Sequence, residues 1–387
     1  MTTLRIALIT ETYPPEINGV AVTLRHLVHG MLKRGHSVHV VRPRQSRIDT
    51  PRESPGYRET LVRGIAIPRY DALKLGLPAA GQLRALWRRD PPDIVHVATE
   101  GPLGASAVKA ALSAGIPVST DFHTNFHAYA RHYGVRWLEQ PVLRYLRRLH
   151  NRTLCTMVPT HELARELAGF GFDNLRVVAR GVDTRLFHPD KRDAALRRSW
   201  GAAPEDPIVL FVSRMAPEKN LPLLMKTFAA MHRVDPRARL VVVGDGPARA
   251  RLKARHPDAI YTGMLVGEEL AAHYASADIF LYPSVTETYG NVTLEALASG
   301  LAVVAYDYAA AAVHIRDGQN GITAPFDDDR QFIHRATQLV RDPARLPELR
   351  RNARATADRI DWADIVSGFE SALMDIAHGG PPAARVA

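Results

Sequence analysis

The chain has 387 residues, 46% hydrophobic and 23% charged, a length beyond one ordinary core and the composition of a globular protein. Its one cysteine, Cys155, excludes an internal disulfide, and no apolar run reaches the ~20 residues that a membrane-spanning helix needs. The formal charge of +10 is uneven, because residues 1–190 carry 26 Lys and Arg against 16 Asp and Glu while residues 191–387 carry 24 of each. That excess points to an anionic partner for the first half. No zinc-finger spacing, RNA-binding aromatic motif or helix-turn-helix pattern accompanies it, so lipid is favoured over nucleic acid.

The first residues run into the strand Leu4–Ile9 without a cleavage-type signal, so the expected location is cytoplasmic, with attachment to a membrane only from the side. The loop Glu11-Thr-Tyr-Pro-Pro-Glu-Ile-Asn-Gly19 then opens a helix on which Val20, Leu24, Leu27, Val28 and Met31 keep helical spacing. A glycine before a helix is commonly only a turn, but it also lets a phosphate approach the helix N-terminus. Further apolar runs at 37–41, 93–97, 116–120, 154–158 and 175–178 alternate with helical patterns. They predict a mostly parallel sheet with a ligand crevice at its carboxyl edge.

The loop after the fourth run, Thr120 to Gly134, is dense in His, Tyr and Arg, and its His123, His127 and His132 match no standard zinc spacing. Residues 135–152 combine Trp137, Leu138, Val142, Leu146 and Leu149 with Arg144, Arg147, Arg148 and Arg152. Such a basic amphipathic helix suits an anionic bilayer surface, and an ordinary core-packed helix is the competing reading. Residues 75–89 are a weaker candidate of the same kind.

Residues 181–207, Gly181 to Pro189 with a charged helix to Trp200 and the polar Gly201 to Pro207, read as an interdomain connection. A second alternating series follows with strands at 208–212, 238–243, 259–261, 279–281 and 302–305. The expected division is a Rossmann-like domain over 1–190, a second over 201–362, a helix near 363–378 crossing back to the first, and a tail at 379–387. The first strand of the second series ends in Ser213-Arg-Met-Ala-Pro-Glu-Lys-Asn220, which sets Arg214 and Lys219 at a sheet edge where a guanidinium and an ammonium suit a diphosphate. Gly244-Asp-Gly-Pro247 reads as a structural turn, and Asp327-Asp-Asp329 as solvated charge and not a metal motif.

The run Pro283-Ser-Val-Thr-Glu-Thr-Tyr-Gly-Asn-Val-Thr-Leu-Glu295 follows a buried strand. Gly290 breaks it, and a helix opens with its dipole at the crevice. Glu287 precedes that helix and Glu295 lies about one turn inside it, so two acceptor-only carboxylates flank a phosphate cradle. A lone pair of this kind would ordinarily be a capping acid and a solvated helix residue. Together with the flanking sequence it suits a polyol joined to a diphosphate.

These motifs, Gly19, His123, Arg214 with Lys219, and Glu287 with Glu295, occur in the order found in the retaining, nucleotide-sugar-dependent glycosyltransferases of family 4, which the whole chain resembles. The resemblance implies an α/β fold of the GT-B type, two Rossmann-like domains facing a deep interdomain cleft, with no cofactor or metal required beyond the sugar donor. It implies that Gly19, Arg214, Lys219 and the helix after Gly290 hold the diphosphate, that Met264 and Leu265 meet the base, and that Glu295 holds the ribose. Glu287 would hold sugar hydroxyls, with Thr288, Tyr289, Asn291 and Val292 beside it, and His123 would lie beside the transferred sugar. His123, Glu287, Arg214 and Lys219 form the implied catalytic set. Tyr129, Arg131 and His132 are acceptor-side candidates.

The openings Asn18-Gly-Val-Ala-Val-Thr-Leu and Tyr289-Gly-Asn-Val-Thr-Leu-Glu look most like GDP-mannose-dependent α-mannosyltransferases and related glycolipid synthases. GDP-mannose is therefore the favoured donor, and a lipid or glycolipid hydroxyl the favoured acceptor. Tyr289 and Leu297 stand where many members have Phe and Met. The alternatives are a UDP-sugar glycolipid synthase of the glucosyl- or sulfoquinovosyl-diacylglycerol type, and a nucleotide-sugar-binding protein without turnover.

Overall fold

The computed structural model describes residues 2–67, 70–123 and 139–380. The chain divides into two compact units, Met1–Arg180 with Trp362–Ala387, and Gly181–Asp361.

The first unit is built on an eight-stranded sheet whose spatial order runs Leu175–Val177, Cys155–Val158, Val118–Asp121, Ile94–Val97, Arg5–Ile9, Ser37–Pro43, Tyr57–Val62, Glu53–Ser54. All neighbours pair in parallel except the last two. The order reverses around Arg5–Ile9, the first strand. Chains leaving it and its neighbour Ile94–Val97 pass to opposite faces and leave a crevice at their carboxyl ends. The helix Gly19–Lys33 buries Leu24, Leu27, Val28 and Met31, the face its spacing predicts, and Asn18 caps it by accepting from the Ala21 N–H at 2.9 Å. The final helix Trp362–Ala377 packs on this helix through Val366, Phe369 and Leu373, which join the same core cluster. Gly30 has no room for a side chain there, since a Cβ would stand 2.4 Å from Val366.

The second unit holds a six-stranded, wholly parallel sheet in the order Ile260–Gly263, Arg239–Val243, Ile208–Val212, Ile279–Tyr282, Ala302–Tyr306, Ile322–Ala324. Its strands are buried on both faces, as the near-continuous Val, Ile, Leu and Phe runs require. The order reverses between Ile208–Val212 and Ile279–Tyr282, so these two strands define the crevice. Residues 181–200, read from sequence as a connection, pack into this unit. Val182, Phe187 and Trp200 join its core, while Arg192 and Arg197 pair with Asp278 at 2.8 and 2.9 Å.

Candidate functional site

Both carboxyl-edge loops of the second unit's crevice carry the residues singled out by sequence. After Ile208–Val212 comes Arg214, then a short 3-10 turn Pro217–Lys219. The Arg214 guanidinium donates to the fully buried Glu218 at 2.5 Å. Behind this loop, a Cβ on Gly244 would fall 2.0 Å from the Ser213 carbonyl and one on Gly246 2.5 Å from that of Met215. The Gly244-Asp-Gly turn is thus the support against which the Arg214 loop closes, with the Met215 N–H donating to the Asp245 carbonyl at 2.8 Å.

After Ile279–Tyr282 comes Glu287. Lys219 Nζ pairs with its Oε1, and Tyr282 and Ser284 donate their hydroxyls to the same oxygen at 2.6 and 2.5 Å. Burial pushes the Glu287 carboxyl up, but the Lys219 charge and these hydrogen bonds outweigh it and hold it below the usual carboxylate range. Gly290 adopts φ 90°, a left-handed conformation, and the helix Asn291–Ala298 starts from it. Arg214, Lys219 and this helix N-terminus therefore gather positive charge at one sheet edge.

Glu295 sits one turn into that helix and accepts from the Tyr274 hydroxyl at 2.9 Å. Burial raises its pKa to about 7 against the lowering effect of that bond. Met264 is exposed and Leu265 half-buried on the loop after Ile260–Gly263. Thr288, Asn291 and Val292 are half-buried at the helix start. Tyr289 is 5% exposed, joins the core, and its hydroxyl pairs with His314 Nε2 at 2.7 Å.

In the first unit, Gly19 stays exposed at the N-terminus of its helix. Glu11, just before it, reaches the N-terminus of the helix Pro102–Ser113 and accepts from the Leu103 N–H at 2.9 Å. Desolvation nevertheless raises its pKa to about 7. His123 follows the strand Val118–Asp121 and is buried. Its Nδ1 accepts from Arg180 Nη2 at 2.9 Å, and its Nε2 stands 2.8 Å from Asp121 Oδ2, off the line of a well-aligned hydrogen bond.

Tyr129, Arg131, His132 and Trp137 lie outside the described residues. The helix Glu139–His150 corrects the bilayer reading of its apolar stripe. Leu143, Leu146 and Leu149 are buried in the unit's core, leaving Arg144, Arg147 and Arg148 as an exposed cationic face. Within residues 75–89, Leu83 and Trp87 are likewise buried. In the acidic run, Asp328 caps the helix Asp329–Arg341 and Asp329 accepts from the Tyr306 hydroxyl at 2.9 Å. Among the described residues no group of three His, Cys, Asp or Glu side chains is arranged to hold a metal ion, and no helix is long and apolar enough to cross a membrane.

Sequence reasoning did not find the residues that hold the candidates in place: Tyr282 and Ser284 on Glu287, Tyr274 on Glu295, Glu218 on Arg214, and Arg180 with Asp121 on His123. Glu218, Ser284 and Asp121 lie within four positions of their partners and left a local signal, whereas Tyr282, Tyr274 and Arg180 did not.

A family model described as Glycosyl transferases group 1 matches residues 206–342, and one described as Glycosyltransferase Family 4 matches residues 17–186. A GDP-mannose-dependent alpha-mannosyltransferase of Mycobacterium tuberculosis is 34% identical over 344 residues, 87% of this chain and 87% of its own length. A sulfoquinovosyl transferase of Arabidopsis thaliana is 30% identical over 368 residues, 92% of this chain and 71% of its own length. Among solved structures, the sucrose-phosphate synthase of Thermosynechococcus elongatus shares the fold at a TM-score of 0.81 and 19% identity, covering 97% of this chain and 100% of that one. Two family models in tandem, and relatives of 30% identity or more along most of the sequence, lead to one conclusion: the chain belongs to the nucleotide-sugar glycosyltransferases of group 1, family 4, with the GT-B fold.

Proposed function

We propose that the protein is a retaining hexosyltransferase that moves mannose from GDP-mannose to a hydroxyl of a lipid or glycolipid acceptor. The observation that carries the reading is that Arg214, Lys219 and the helix start at Gly290 lie on the carboxyl-edge loops of one crevice, with Lys219 paired to Glu287. Three sources of positive charge suit a diphosphate, and an adjacent ionised carboxylate suits sugar hydroxyls. Gly19 adds a second helix N-terminus, and Glu295 takes the ribose hydroxyls. Met264 and Leu265 meet the base.

In this reading the bond from the anomeric carbon to the leaving phosphate oxygen breaks, and that oxygen keeps the electron pair. The acceptor oxygen bonds to the same face of the carbon and passes its proton to the departing phosphate. Arg214, Lys219 and the helix dipole stabilise the charge that builds on the diphosphate. His123 lies beside the transferred sugar.

Mannose is favoured by the mannosyltransferase relative at 34% identity, and a UDP-sugar glycolipid synthase is the second reading, favoured by the sulfoquinovosyl transferase at 30%. Thermal stabilisation by GDP-mannose, UDP-glucose and UDP-sulfoquinovose separates them, because a ligand that binds only the folded state raises its midpoint. A response to GDP-mannose alone, followed by retained configuration in the product, supports the first. A response to either UDP-sugar alone replaces it with the second, and silence across the panel removes the transferase reading of this site.

Arg144, Arg147 and Arg148 fit a purely electrostatic contact with an anionic bilayer at the cytoplasmic surface. Binding to phosphatidylglycerol vesicles at low salt that the triple Glu substitution abolishes supports this contact. Equal binding by both proteins ends it.

A further inference from the structure

The His123 imidazole is committed on both sides. Arg180 donates to Nδ1 at 2.9 Å, and a guanidinium carries donors only, so Nδ1 is the ring's unprotonated nitrogen. Nε2 then carries the single proton and faces Asp121 Oδ2 at 2.8 Å. The same carboxylate oxygen lies 3.4 Å from His96 Nε2 and 3.9 Å from Arg180 Nη1. His96 is itself turned by a contact of 2.9 Å between its Nδ1 and Ser119 Oγ. Asp121, His96, His123 and Arg180 are all buried. Arg180 and Asp121, with a neutral His123 ring between them, balance one cation against one anion, the form in which ionised groups are tolerated away from water.

We propose that Arg180 and Asp121 are positioning residues that hold His123 as a neutral, Nε2-protonated ring, so that it serves transfer as a fixed group and never as a proton carrier. This rests on the reading that His123 lies beside the sugar. It differs from a hydrolase-type Asp-His pair, where the far nitrogen is open to take a proton from a nucleophile. Here that nitrogen is filled by Arg180. The acceptor's proton must therefore leave by another route, which the departing phosphate provides. The shifts agree with the geometry: burial and the Arg180 charge lower the His123 pKa against the raising effects of Asp121 and Glu100. Asp121 is held well below the carboxylate range because its neighbours His123, His96 and Arg180 outweigh its desolvation.

The test is the protonation of His123 in the full chain labelled with 15N-histidine, with its signals identified by their loss in His123→Gln and again in His123→Asn. The expected wild-type pattern is an Nε2–H tautomer that does not titrate between pH 5 and pH 8. In Arg180→Leu the ring should gain a second proton within that range, because Asp121 then acts on it unopposed. Transfer should fall by about tenfold or more with the donor KM little changed, and Arg180→Lys, which restores a donor, should recover part of the rate. A wild-type ring that carries its proton on Nδ1, or that titrates between pH 5 and pH 8, overturns the proposal without recourse to any variant. If the tautomer is as stated and His123→Gln transfers at the wild-type rate, the clamp stands and the placement of His123 beside the sugar falls.

Discussion

Lys219 and Glu287 form an ion pair on a single carboxylate oxygen, Oε1, which also receives the hydroxyls of Tyr282 and Ser284. One of the two loop cations, Lys219, is thus held against the carboxylate read as the sugar's partner. Arg214 is stored the same way against Glu218. A diphosphate has to draw both cations towards itself, and its affinity is the surplus over these internal pairs.

Removing the carboxylate separates sugar handling from nucleotide binding. Glu287→Ala is expected to lower kcat by about two to three orders of magnitude, the scale of losing a group that acts on the transition state. GDP affinity should hold or rise, because Lys219 is released from its partner. Steady-state kinetics with calorimetric GDP titration checks both. Undiminished turnover in this variant would remove Glu287 from the site.

Removing the cation instead should give a defect in stability that grows with pH. In the wild type the folded-state pKa of Glu287 lies below its ordinary 4.5, so the pairing contributes stability above that value and is lost as pH falls through the folded pKa. In Lys219→Met only the Tyr282 and Ser284 hydrogen bonds remain against burial, so the folded pKa rises and the charged form is penalised as pH increases. We expect the variant to lose about 2–3 kcal/mol of unfolding free energy at pH 8 and clearly less at pH 5. Urea titrations at the two pH values decide it. A deficit independent of pH would mean that the lost contact is packing and not charge.

Glu295 predicts a pH dependence of donor binding. Its pKa is raised to about 7 by burial, and only its ionised form accepts hydrogen bonds through both oxygens. If it holds the ribose, GDP-mannose affinity should drop about tenfold from pH 8 to pH 6, the fraction of carboxylate lost over that span. The diphosphate diester does not titrate there, so the protein is the source of any change. Glu295→Gln should bind more weakly at pH 8 and show a flat profile. A flat profile in the wild type would free Glu295 from that role.

Much of this was legible in the sequence because burial on both faces leaves an apolar run for each parallel strand, and the sheet order then places every following loop at one edge. That logic puts Arg214, Lys219, Glu287 and Gly290 on loops at the carboxyl edge, while their assignment to a diphosphate and a sugar came from the resemblance to the family. Tyr57–Val62 and Ile322–Ala324 were missed because they are edge or near-edge strands with mixed burial, and Tyr-Arg-Glu-Thr-Leu-Val does not read as a core run. The basic helix 139–150 shows the converse limit. Its stripe of Leu143, Leu146 and Leu149 has the same period whether it faces a bilayer or a core, and only tertiary packing decides. Tyr282, Tyr274 and Arg180 carried no local signal, since their partners are 5, 21 and 57 positions away.

Two backbone positions near Glu287 should respond to substitution with opposite sign. Gly290 has φ 90°, and a Cβ there would meet nothing closer than 3.6 Å, so the cost of Gly290→Ala is conformational and amounts to about 1–2 kcal/mol. It should also weaken GDP binding, because the first turn of the helix starts from that residue. Ala309 already bears such a cost at φ 52°, where its neighbour's N–H donates to the Tyr289 carbonyl at 2.8 Å. Ala309→Gly relieves it and gives back part through the freer unfolded chain, for a net gain of about 0.5–1 kcal/mol. GDP affinity should be unchanged in that variant. Urea midpoints and calorimetry on the pair measure both effects, and a loss of stability in Ala309→Gly would show that its left-handed conformation is not what limits this loop.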